Sequence, residues 1–154
     1  MKKLSPALLG ICGLLIVSGC NQQAQPTHNA AATAEPQVMF FNIISGAEED
    51  PHSVTMALQL AGHALDDGRE VVLFFNVRGV GVPTKDLADD LAFHAEPIKT
   101  LLHDLMQRGA AVHVCPHCMA ALDVTEADLV PGAVVTDREM LFATLRSNTN
   151  VFTY

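Results

Sequence analysis

Short, almost wholly apolar runs separated by amphipathic stretches are what most limits the folds open to this chain. Residues 38–44 (VMFFNII), 71–77 (VVLFFNV) and 110–114 (AAVHV) are too short for buried helices and rich in Val and Phe, so each reads as a strand covered on both faces. Between the first two, Asp50 and Pro51 open a helix as N-cap and first residue. Its apolar stripe is Val54, Leu58, Ala61 and Leu65, and Asp67 with Gly68 ends it. Further helices are predicted over residues 85–93, from Pro97 to Gly109 with Ile98, Leu101, Leu102 and Leu105 inward, through Leu122 after a pair of cysteines, and over residues 137–145. Strands are predicted over residues 133–135 and 150–154. Five strands alternating with helices imply an α/β fold with a mainly parallel sheet, because parallel neighbours need crossover connections. Loops leaving the carboxyl ends of such strands gather at one edge, where ligands bind. Residues 45–52, 76–84 and 115–118 are such loops and are expected to converge.

The N-terminus has a different logic. Lys2 and Lys3 precede an apolar stretch over residues 6–17, shorter than the roughly 20 residues a membrane-spanning helix needs, and Val17-Ser18-Gly19-Cys20 follows. Charge, apolar run, small residues and Cys in register look like a bacterial lipobox, so residues 1–19 read as a lipoprotein signal peptide and Cys20 as the lipidated residue. Asn21 in place of Asp after that Cys favours attachment to the outer membrane, facing the periplasm. Residues 20–36 carry Gln, Ala, Thr and Pro without apolar period and read as a flexible tether, leaving residues 37–154 as the single globular domain. The formal charge of −8 becomes more negative once Lys2 and Lys3 are removed, and no basic stripe offsets it, which argues against nucleic acid as a partner.

With Cys12 in the signal and Cys20 occupied, only Cys115 and Cys118 of the four cysteines remain free. A disulfide closing so short a loop contributes only about 2 kcal/mol by the chain-entropy estimate, a weak structural device. A CxxC at a strand-to-helix junction suits redox, persulfide or metal chemistry. Helix-terminal N–H groups favour Cys115 as nucleophile and leave Cys118 as the resolving thiol, with His117 between them placed to stabilise thiolate. His113 alternates with Val112 and Val114 and reads as a half-buried histidine, and Met119 as core packing. The same segment admits a Cu(I) or Zn(II) site from Cys115 and Cys118, with His113, His117 or Met119 completing the shell. Arg78, beside flexible glycines, and His52, at a helix start, are candidates for holding a substrate anion such as thiosulfate. His63, His94 and His103 are assigned to solvated helix faces, and Glu48, Glu49 and Asp50 put negative charge near the expected site. No GxGxxG, Walker-type, GxSxG or HExxH motif occurs, so nucleotide-binding and common hydrolase readings lack support.

Three segments taken in order carry a resemblance: Gly46-Ala47-Glu48-Glu49-Asp50-Pro51-His52-Ser53-Val54-Thr55-Met56-Ala57, then Val71-Val72-Leu73-Phe74-Phe75-Asn76-Val77-Arg78-Gly79-Val80, then Val114-Cys115-Pro116-His117-Cys118-Met119. The chain resembles DsrE/DsrF-like proteins of the CxxC-bearing branch often labelled predicted peroxiredoxin, over roughly residues 38–154. The resemblance implies a three-layer α/β/α fold, homo-oligomers, and cysteine-based relay of persulfide sulfur between partner proteins. It places Cys115 and Cys118 in the family's cysteine region without choosing between them as carrier. It departs at Leu122-Asp123, where a basic Arg-Gly is often seen, and in its predicted export. A thioredoxin fold is disfavoured, because too little chain follows Cys118 for the rest of that domain. Three functions remain open: thiol chemistry as sulfur relay or thiol–disulfide exchange with a sulfur-carrier or redox protein partner, a soft-metal binder, and a non-catalytic scaffold docking a basic partner.

Overall fold

A computed structural model describes residues 36–94 and 96–154. The expected signal peptide, the expected lipidation site Cys20 and all but the end of the expected tether lie outside the described residues. Among the described residues no helix is long and apolar enough to cross a membrane.

The apolar runs form strands where expected. Strand β1 (Val38–Ile43) pairs in parallel with β2 (Glu70–Phe75), and β2 with β5 (Ala111–Val114). The outer strands β6 (Ala133–Val135) and β7 (Thr149–Thr153) are also parallel to their neighbours, giving a five-stranded sheet in the order β6-β5-β2-β1-β7. Parallel partners in register point to the same face, which sorts the side chains into two layers.

On the first face lie Phe41, Ile43, Leu73, Phe75, Val112 and Val114, packed with the stripes of helices α1 (Pro51–Asp66) and α2 (Ile98–Gln107). Phe41, Phe75, Leu58, Ile98 and Leu105 are fully buried there, each burial contributing about 1.5–3 kcal/mol. Asp50 caps α1 as anticipated, accepting hydrogen bonds from the Ser53 N–H at 3.0 Å and the Ser53 hydroxyl at 2.5 Å. The opposite face carries Val38, Phe40, Val72 and Phe74 against Leu141 of α4 (Arg138–Thr144). Helices on both sides of a parallel sheet make the three layers.

One predicted helix does not form. Residues 85–91 run as turns, and β3 (Ala92–Phe93) pairs antiparallel with β4 (Glu96–Pro97) in a separate hairpin. The segment offers one buried apolar anchor, Leu87, and three aspartates that compete for its backbone. Lys99 from α2 satisfies its carbonyls instead, donating to Lys85 O and Leu87 O at 3.0 Å each and to Asp89 at 2.6 Å. His94 accordingly sits in a turn with φ of 64°, edge-on to Phe93, and not on a helix. Pro97 is the N-cap of α2, one residue before the helical position assigned to it.

Candidate functional site

The carboxyl ends of β1, β2 and β5 meet where the sequence places its two free thiols. Strand β5 alternates, so Val112 and Val114 enter the first-face core while His113 and Cys115 belong to the opposite face. The Cys115 N–H donates to Phe75 O at 2.9 Å, extending the β2–β5 ladder by one residue. Pro116 then starts the short helix α3 (Pro116–Ala121) with Cys115 as its N-cap, and the Met119 N–H returns to Cys115 O at 3.0 Å. This geometry puts Cys118 one helical turn beyond Cys115. Both are free thiols and half-buried.

Cys118 has the Cys115 sulfur and the backbone N–H of Val77 as its polar neighbours. Burial pushes the Cys118 thiol up, the Val77 N–H pulls it down, and the neighbouring Cys115 sulfur pushes it up again; the net direction is upward. Val77 begins a 3-10 turn (Val77–Gly81) and has φ of 50°, a left-handed conformation costly for a β-branched residue. Gly79 seats the turn against β1, its N–H donating to Ile44 O at 3.2 Å.

Cys115 opens onto a cavity of about 350 Å³ on the second face, lined also by His117, Thr136, Arg138, Leu141 and Phe142. Cys118 does not line it. It packs with the first-face cluster, whereas Cys115 touches both clusters. His117, exposed on the first turn of α3, faces the same cavity as Cys115, so two of the three predicted catalytic residues share one space.

His113 is more buried than the half-buried reading had it: its Nδ1 lies 3.1 Å from the Thr136 hydroxyl, and burial lowers its pKa, keeping the ring neutral. Met119 is packed in the first-face core. The donors invoked for Cu(I) or Zn(II) are therefore scattered over two faces, and among the described residues no three His, Cys, Asp or Glu side chains gather as metal ligands. The fit to such an ion is poor.

Arg78 forms an ion pair with Glu49 at 2.7 Å and lines a different cavity of about 300 Å³ with Gly46, Gly81 and Leu122. His52 stacks on Phe93 with ring centroids 4.0 Å apart. The loops do converge in part, since the turn after β2 reaches Cys118, but the Arg78 and His52 side chains are engaged elsewhere. Sequence reasoning missed Arg138, Thr136 and the Val77 N–H. Arg138 opens α4 just after the Asp137 N-cap, at the carboxyl end of β6 beside β5, an adjacency the sequence does not give. Asn76 continues β2 opposite Cys115 and donates to Asn42 Oδ1 at 2.7 Å, adding an amide pair to the same edge.

The sequence is 32% identical over 116 residues to uncharacterized protein MJ0989 of Methanocaldococcus jannaschii, covering 75% of this chain and 98% of that protein. Among solved structures, the ychN protein from E. coli is similar with a TM-score of 0.58 at 16% identity, over 77% of this chain and 99% of that one. MTH1491 of Methanobacterium thermoautotrophicum, a protein of unknown function, gives 0.55 at 12% identity, over 78% and 100%. Both show the fold. The model of the DsrE/DsrF-like family matches residues 38–154, so the globular part from β1 to its last strand belongs to the DsrE/DsrF-like family.

Proposed function

We propose that this protein is a thiol-based sulfur-handling module in which Cys115 takes sulfane sulfur from a donor as a persulfide, with Cys118 as its partner thiol. One observation carries the reading: Cys115 both opens onto the cavity beside His117 and Arg138 and has the free Cys118 thiol one helical turn away. A nucleophilic sulfur needs access on one side and stabilisation on another. Family membership supports sulfur relay at the level of fold. In the transfer, Cys115 thiolate attacks the outer sulfur of a donor persulfide, a new S–S bond forms, and the donor thiolate leaves, taking up a proton from solvent. His117 and Arg138 provide positive or proton-donating groups at the mouth through which the donor enters.

Intact mass measurement of the full chain after treatment with a persulfide donor tests this. The expected result is a gain of one sulfur atom, about 32 Da, in Cys118→Ser, where no partner thiol can remove it, and no gain in Cys115→Ser. Absence of any sulfur adduct or any thiol oxidation in the wild type would remove the proposal. A disulfide formed with a redox protein in the absence of sulfur donor would favour thiol–disulfide exchange instead.

The module is proposed to work tethered to the outer membrane, facing the periplasm, through lipid on Cys20. Three acyl chains contribute about 0.8 kcal/mol per buried methylene, enough for stable anchoring. Cys20→Ser is expected to move the protein from the membrane to the soluble fraction on cell fractionation, and unchanged partitioning would rule the anchor out.

A further inference from the structure

We propose that the relay ends within the site: sulfur loaded on Cys115 from a small anionic persulfide is released as hydrogen sulfide by attack of Cys118, leaving a Cys115–Cys118 disulfide. This rests on the persulfide reading above and gives it a substrate class and a product. A carrier that hands persulfide to a partner needs its loaded sulfur shielded from other thiols. Here the nearest thiol, Cys118, stands one turn along the short helix that Cys115 caps, and both thiols are free and half-buried.

The two cysteines approach Cys115 chemistry from different sides. Cys115 lines the second-face cavity, so the outer sulfur of its persulfide extends there, toward His117 and Arg138. Cys118 packs with the first-face cluster and stays outside that cavity. It therefore reaches the inner sulfur while the outer one departs into open space, the arrangement a displacement at sulfur requires.

The proton balance is met by groups present. Burial pushes the Cys118 thiol up, so Cys118 enters the step carrying its proton beside Cys115. As Cys118 sulfur bonds to Cys115 sulfur, the S–S bond to the outer sulfur breaks, one proton leaves Cys118, and the departing HS⁻ takes one up in the open cavity to give H₂S. The Val77 N–H donates to Cys118 sulfur and stabilises the negative charge that gathers there as the proton leaves. The strained backbone at Val77 has a function in this scheme, as such outliers often do. The disulfide is returned to two thiols by a dithiol reductant, so each turnover converts one persulfide and one dithiol into a thiol, H₂S and a disulfide.

The donor is limited by the cavity, whose volume of about 350 Å³ suits a small organic molecule, and by Arg138, which forms no ion pair among the described residues and favours a carboxylate on the donor.

The test uses the reduced full chain, freed of reductant, with glutathione persulfide as probe, following sulfide and intact mass together. Wild type is expected to release about one sulfide per chain and to lose about 2 Da as the disulfide closes. Cys118→Ser and Cys118→Ala are expected to retain about 32 Da on Cys115 and to release sulfide at least about 100-fold more slowly, because intramolecular attack carries a high effective molarity. Wild type that keeps the added sulfur with Cys118 still reduced would overturn sulfide release while leaving persulfide uptake intact. Sulfide release at the wild-type rate from both Cys118 variants would also overturn it. No adduct and no sulfide from any form would overturn both readings.

Discussion

Phe41→Ala is expected to lower the free energy of unfolding by about 3–5 kcal/mol, a large share of the roughly 5–15 kcal/mol that holds a domain of this size. Phe41 is fully buried at the centre of β1 and stacks on Phe152 of β7, with ring centroids 5.4 Å apart and planes within 19°. Removing the ring leaves a cavity between the first-face helices and an edge of the sheet, and frees β7 from one of its anchors. Urea denaturation read by far-ultraviolet circular dichroism should show a lower midpoint with an unchanged slope. Phe41→Leu, which keeps most of the volume, should lose less. A loss under about 1 kcal/mol for the alanine variant would mean that this layer is not packed around Phe41.

Gly79→Ala is expected to damage stability and the thiol site together. A β-carbon at Gly79 would stand 2.2 Å from Ile43 O and 3.0 Å from the Ile43 carbonyl carbon, both backbone atoms of β1 that cannot rotate away. The 3-10 turn must shift, at a cost of about 1–3 kcal/mol, and it carries the Val77 N–H with it. Cys118 then loses the one contact that pulls its thiol down, so its thiol rises further. Alkylation followed by peptide mass spectrometry above the ordinary thiol range should show Cys118 slowed severalfold relative to wild type, about 1 kcal/mol for a hydrogen bond to a charged sulfur. Gly81→Ala, where an added β-carbon meets nothing within 4 Å, is the control and should change stability by no more than about 0.5 kcal/mol. Identical behaviour of the two variants would disprove the seating of this turn.

Much of the fold was legible because the strands are buried on both faces and so announce themselves as apolar runs. The parity of β5 was also readable for His113, which it placed on the face away from Val112 and Val114; in the structure Cys115 follows on that same face. The stretch over residues 85–91 misled because Leu87 and Leu91 stand four apart as in a helix, while what decides its path, the Lys99 ammonium bound to its carbonyls, comes from another element. Strand order was not legible, since crossover connections fix handedness and not adjacency. Without knowing that β6 lies beside β5, nothing in the sequence brings Arg138 to the cavity of Cys115. Arg78 looked available because glycines surround it. Glu49, from a different loop, occupies its guanidinium.

The adjacency of β1 and β7 reaches beyond the site. Val38 lies beside Thr149 and Asn42 beside Thr153, so one flank of the sheet joins segments more than a hundred positions apart along the chain. Such distant partners meet late, after every intervening crossover has been laid down. Until then β1 presents a bare row of amides and carbonyls, and a nascent polypeptide in that condition is one that holding chaperones should recognise at its leading strand.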